Sequence, residues 1–151
     1  MTEIVVDFHA LDLAKVEVQE KRATEAMAGI RPLIQQADDM GLKYVSVESS
    51  ISMAEAMIQG HDLTHARAEL ERALLRSDKL GMQPLSARAR YLLASIANDS
   101  GNTSEAQDNY REALRLLDAM KKDPGAEKLL ERADFKAIYE ASTRGTQAAK
   151  H

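Results

Sequence analysis

Residues 102–117, NTSEAQDNYREALRLL, decide how this chain folds. The ladder Ala106, Tyr110, Ala113, Leu114 sets small residues beside a large one on a single helical face. A face of that shape suits a second helix packed at short range. Just upstream, Gly101-Asn102 marks a turn, and Asn102 followed three residues later by Glu105 has the pattern of a capping box.

The ladder recurs. Shifted back so that Ala106 falls on Ala66, it lands on Ala66, Leu70, Ala73, Leu74, and the same shift again lands on Ala26, Ile30, Leu33, Ile34. That one offset also aligns Met40, Leu80 and Met120, Gly41 with Gly81, Pro84 with Pro124, and the large-small pairs Leu13-Ala14, Met53-Ala54 and Leu93-Ala94. A fixed period of this kind signals a repeat architecture. Each copy reads as two helices, roughly 8–18, 44–58 and 84–98 for the first and 23–40, 63–80 and 103–120 for the second. Breaks fall near 19–22, 41–43, 60–62, 81–84, 100–102 and 122–124.

A closing helix is expected at about 125–141, with Leu130, Ala133, Ala137, Ile138 and Ala141 on one face and Glu127, Lys128, Glu131 and Arg132 on a charged face suited to a cap. Pro84 and Pro124, after Gln83 and Asp123 as caps, suit the first turn of a helix. Pro32, after Gly29, predicts a kink or restart inside its helix. The turn at 19–22 lacks Gly and Asn, so the first copy also reads as one bent helix, and IVVDF (4–8) also reads as a short strand.

The totals exclude several function classes. The 151 residues contain no Cys, which removes disulfides, thiolate metal sites and a cysteine nucleophile. The net charge is −4, with Lys and Arg interleaved among Asp and Glu, so no basic face for nucleic acid is expected. The acidic start MTEIVVDFHALDL is unlike a signal peptide, and no apolar run approaches a membrane span. A cytoplasmic location is the expectation.

The third copy, with Leu93-Ala94, Gly101-Asn102, Ala106, Tyr110 and Ala113, is similar to the tetratricopeptide repeat. The second keeps Met53-Ala54, Ala66, Leu70 and Ala73, with Gly60 one position early. The first keeps Leu13-Ala14 and Ala26 but has Leu33 where a small residue is expected. The likeness spans about residues 8–120 and departs in length, with copies of roughly 40 residues against about 34 in the common repeat. Longer copies resemble the arrays of kinesin light chains and of C-terminal sensor regions in bacterial signalling proteins (LuxR-type activators, kinases, cyclases). The closing LLERADFKAIYEAS looks like the ends of those bacterial regions.

This resemblance implies an all-α, right-handed array of helix hairpins. It would comprise about three repeats (5–43, 44–83, 84–123) and a capping helix within a single domain 1–142, followed by a polar tail 143–151. The first helix of each pair would line a concave groove. Counting from the large-Ala pairs, the groove positions are Phe8, Leu11, Lys15 and Val18; Glu48, Ile51, Glu55 and Ile58; and Arg88, Tyr91, Ser95 and Asn98. Of these, Lys15, Glu48, Ile51, Glu55, Arg88, Tyr91, Ser95 and Asn98 are the expected partner-binding residues. Arg and Tyr are frequent interface anchors. The two-sided Lys/Asn clamp by which some tetratricopeptide domains hold a terminal carboxylate is not reproduced.

Chemistry has little support. His61 and His65 lie four apart, a spacing that can share a metal on a helix, but Asp62 between them reads better as a helix cap and no third ligand is evident. Ser49, Ser50 and Ser52 read as partly exposed helix surface without a nucleophile elbow. There is no phosphate-binding glycine loop. Met27, Met40, Met53, Met57, Met82 and Met120 read mainly as core filling, with an adaptable binding surface as the lesser reading.

The leading expectation is therefore a non-enzymatic module or scaffold that binds a protein or peptide partner, without cofactor, metal, nucleic acid or membrane. The alternative is a ligand- or peptide-sensing domain cut from a larger bacterial signalling protein (kinase, cyclase or LuxR-type activator). A chain that begins almost directly in a helix, with about three repeats, also leads to the expectation of a fragment or of a homodimer through an uncapped repeat end.

Overall fold

The computed structural model describes residues 23–147, and every regular element among them is helical. In order these are α1 (Ala23–Asp39), α2 (Lys43–Gln59), α3 (Leu63–Lys79), α4 (Gln83–Asp99), α5 (Thr103–Met120), α6 (Glu127–Leu130) and α7 (Ala133–Gln147). The expected helix at 8–18, the turn at 19–22, the strand alternative at 4–8 and the groove positions Phe8, Leu11, Lys15 and Val18 lie outside the described residues.

The turns explain the regularity. Gly41, His61, Gly81 and Gly101 all have positive φ and follow one another at a constant interval, half the repeat. After each, the N–H of residue 42, 62, 82 or 102 donates back to the carbonyl of 37, 57, 77 or 97, at 2.8 Å in all four cases. The positive-φ residue itself donates to the carbonyl three before it, at 3.0–3.2 Å. This double closure is the Schellman motif, which satisfies carbonyls left open at a helix end. Bounded on both sides by this one device, α2, α3 and α4 have 17 residues each.

Helix starts alternate. Asp62 and Asn102 cap α3 and α5 with side-chain oxygens that accept from the N–H of His65 (3.3 Å) and Glu105 (3.2 Å). Leu42 and Met82, before α2 and α4, supply no side-chain cap. Met82 rather than Gln83 occupies the cap position before Pro84, which does sit in the first turn. The Asn102 box closes in a modified way: its backbone N–H is held by Ala97, so the Glu105 carboxylate accepts from the Asn102 side-chain amide at 2.9 Å.

By internal contacts the chain divides into two compact units, Met1–Ala73 and Leu74–His151, with the division inside α3. In the first unit α1 packs on α2. Ala26, Ile30, Met53 and Ala56 form the core there, with Met27, Ile34 and Met57 against it, while Leu33 and Ala37 meet Val45. Burying a side chain such as Ile30, which has no exposed surface, stabilises the fold by about 1.5–3 kcal/mol. The α3 ladder Ala66, Leu70, Ala73 is likewise buried.

In the second unit α4 packs on α5 and α5 on α7, with lesser contacts of α7 to α4 and α6. Leu116, Leu117 and Met120 meet Phe135 and Ile138 beside Ala87, and Tyr91, Leu129, Leu130 and Tyr139 flank them. Ala106 and Ala113 are buried, and Tyr110 and Leu114 are half-buried. The small-large face of α5 is thus a packing face.

Several expectations need correction. α1 runs without a restart through Pro32, because Pro32 and Ala28, whose carbonyl loses its donor, both face solvent. The expected helix at 125–141 is instead α6 followed by α7. Position 121, one repeat after Gly81, is Lys; without a glycine the chain continues and turns at Gly125 (φ 107°), leaving Pro124 in the turn. The buried face of α7 is Phe135, Ile138 and Ser142, while Ala133 and Ala137 are exposed. α7 also extends to Gln147, into the expected polar tail. Met40, expected inside, is 38% exposed at a turn. Ser49, Ser50 and Ser52 are buried, not surface; small side chains let α2 be enclosed on most sides.

Candidate functional site

Most of α4 is buried: Leu85, Ser86, Ala87, Ala89, Leu93, Ala94, Ile96 and Ala97 leave only part of its circumference to solvent. Arg88, Tyr91 and Ser95 lie half-buried on that open part, and Asn98 is exposed at its end. Their spacing of three, four and three residues is the helical period, so they form one stripe. The Tyr91 ring leans on Tyr110 of α5, with centroids 6.3 Å apart and planes tilted by 51°. That contact fixes the ring from behind. Burial, with the neighbouring Tyr91 next, pushes the Tyr110 phenol above its usual value.

In the first unit, Glu48, Glu55 and Ile58 of α2 are half-buried. Ile51, expected to face a groove, is fully buried and has no surface to offer a partner. It corrects the expected set: the position equivalent to Tyr91 is core in α2. Glu48, Glu55 and Arg88 already engage other groups of the protein.

Two clefts of the second unit are walled in part by α4. One, of about 330 Å³, is lined by Ser77, Asp78, Gln83, Ser86, Arg90, Glu112 and Arg115 among others. Its hydroxyl and charged groups are occupied. Ser86 Oγ donates to Asp78 Oδ1 at 2.6 Å, and Ser77 and Ser86 Oγ lie 2.8 Å apart. Ser77 has one proton to give, either to Ser86 or to the Leu74 carbonyl at 3.1 Å. Arg90 donates to the buried Asn109 side chain at 3.1 Å, and Asn109 in turn donates to the Glu105 carbonyl at 3.2 Å. Arg115 donates to Glu112 at 2.9 Å, which holds the Glu112 carboxyl below and the Arg115 guanidinium above their usual ranges. The carboxylate is a weak base for a hydroxyl, and no imidazole stands beside the serine pair among the described lining residues to activate it as a nucleophile. The Ser86 bonds tie α4 to α3, and the Arg90–Asn109 bond ties α4 to α5.

The Asp78–Ser86 bond has a counterpart one repeat earlier, where Ser46 donates to Asp38. In the third copy position 126 is Ala, and Asp118 accepts from Tyr139 of α7 at 3.2 Å, with Lys121 3.9 Å above the Tyr139 ring. This recurring clip was missed in the sequence, although Asp38, Asp78 and Asp118 share its period.

The second cleft, about 290 Å³, lies where α4, α5 and α7 meet and is lined by Asn98, Thr103, Ala106, Gln107, Tyr110, Ala141, Arg144 and Gly145. The side chains of Asn98, Thr103, Gln107 and Arg144 make no hydrogen bond or ion pair with another described residue. It adjoins the stripe, since Asn98 belongs to both.

His65 Nδ1–H donates to the Asp62 carboxylate at 2.7 Å, and this bond holds the Asp62 carboxyl below its usual range. His61 stands in the turn, so the pair serves helix start and turn. Among the described residues no helix is long and apolar enough to cross a membrane. Set against known proteins, the chain matches no protein family, no curated protein and no solved structure.

Proposed function

We propose that this chain is a non-enzymatic tetratricopeptide-like module, a right-handed array of about three helix hairpins and a capping helix, that holds a partner peptide or helix along the first helix of its pairs. The observation that carries this reading is the α4 stripe. On a helix whose larger part is buried, Arg88, Tyr91, Ser95 and Asn98 keep accessible surface at the positions the repeat assigns to a groove. A ring already braced by Tyr110 loses little freedom when a partner covers it, which favours binding. With Ile51 in the core, the binding residues of α2 reduce to Glu48 and Glu55.

The test is a random-peptide display selection against the folded chain, followed by calorimetry of a selected peptide. The double variant Tyr91→Ala, Arg88→Ala, shown by circular dichroism to retain its helix content, weakens binding at least about tenfold, or ~1.4 kcal/mol. Unchanged affinity would remove the stripe from the binding site.

A further inference from the structure

We propose that the cleft between Asn98, Gln107 and Arg144 is a carboxylate subsite that takes the side chain of a Glu or Asp within a partner peptide. The proposal rests on the groove reading above, because Asn98 ends the stripe and also walls the cleft.

The chemistry comes from what is uncommitted. In the neighbouring charged cleft each cation already has an acceptor: Arg90 has Asn109 and Arg115 has Glu112. Here Arg144, the amides of Asn98 and Gln107 and the hydroxyl of Thr103 have no hydrogen-bond or ion-pair partner among the described residues. All four can donate, and among the described residues Arg144 is the sole charged group in the lining. One guanidinium presents a fork that matches the two oxygens of a carboxylate, and the single positive charge balances a monoanion. A phosphoryl dianion would remain half neutralised. Ala106, Ala141 and the Tyr110 ring supply an apolar wall for the methylenes that carry the carboxylate. A volume of about 290 Å³ admits one such side chain rather than a folded segment.

The test uses the full chain, labelled with ¹⁵N, titrated with N-acetyl-glutamate methylamide, its glutamine analogue and inorganic phosphate. Saturable shifts of the Arg144 Nε–H and Gly145 N–H are expected with the glutamate probe, weaker by about tenfold for glutamine, since a charged hydrogen bond is replaced by a neutral one. Phosphate should bind no better than the glutamate probe. Arg144→Gln, at an exposed position, should keep the fold and lose the shift of the Gly145 N–H. Absence of saturation, equal binding of glutamine, tighter binding of phosphate, or binding retained by Arg144→Gln each overturns the subsite. The groove reading fails separately, through the Tyr91 and Arg88 variants, which leave Arg144 in place.

Discussion

The ring of Tyr110 occupies the space that a side chain at Gly145 would need. A Cβ there would lie 2.2 Å from Cδ2, 2.6 Å from Cγ and 2.7 Å from Cε2. Contact reaches the root of the ring, so rotation of its tip gives no relief. A glycine inside α7, unfavourable for the helix by itself, is what lets α7 come down on α5.

Gly145→Ala is therefore expected to destabilise the protein by ~1–2 kcal/mol: overpacking costs ~1–3, and better helix propensity returns up to about 1. Urea melts should show a lower midpoint at unchanged slope. In a Tyr110→Leu background the penalty should shrink. A Gly145→Ala protein as stable as the parent would show that α7 does not dock by this notch.

The turn at 60–62 is the weak member of its set. His61 carries φ 63°, where its three counterparts are glycines. An L-residue there costs about 1–2 kcal/mol, so His61→Gly should raise stability by ~1 kcal/mol, while Gly101→Ala should lower it by a similar amount. Thermal melts of both variants suffice; stabilisation by Gly101→Ala would contradict the shared turn geometry.

Loss of the Asp–Ser clip removes a hydroxyl donor from the aspartate carboxylate, while Ser77 keeps the Leu74 carbonyl. Ser86→Ala should cost ~1–2 kcal/mol, and Ser46→Ala a comparable amount. The two clips share no residue, so the double variant should show the sum. A strongly non-additive result would mean that they are one network.

Acid should weaken the protein through Asp62 and Glu112. Both carboxyls are held below their ordinary values of 3.8 and 4.5, by His65 and by Arg115 respectively. Their stabilisation is complete above those values and is lost as pH falls through the lower, folded-state ones. Glu112→Gln should flatten the decline of melting temperature below about pH 4.5. At the other extreme Tyr110, raised above 10.0, contributes stability that is present below that pH and lost as it rises further.

Much of the fold was legible because its signals are local. Glycine after a helix, and Ala at 66, 106 and 113, announce turn and close packing from residue type alone. What escaped depended on partners distant in sequence. Ser46 and Ser86 look like surface residues until an aspartate eight residues upstream turns round to meet them. His61 concealed a left-handed position because Gly60 stood beside it. Gly145 gave no warning that Tyr110 was its neighbour. At the candidate site the spacing singled out residues of α4 that keep accessible surface, yet it placed Ile51 on a face that the first unit encloses. Arg144 was not found, since it lies beyond the expected last helix and acquires meaning only beside Asn98 and Gln107.

The even recurrence of one turn, at positions 41, 61, 81 and 101, also sets a unit of tolerated length change. Inserting or deleting one whole hairpin between equivalent turns returns every downstream side chain to its original face. A single added residue inside a helix rotates all that follows by about 100°. Length in this chain is thus quantised: changes by whole hairpins keep the faces of the helices in register, and intermediate ones scramble them.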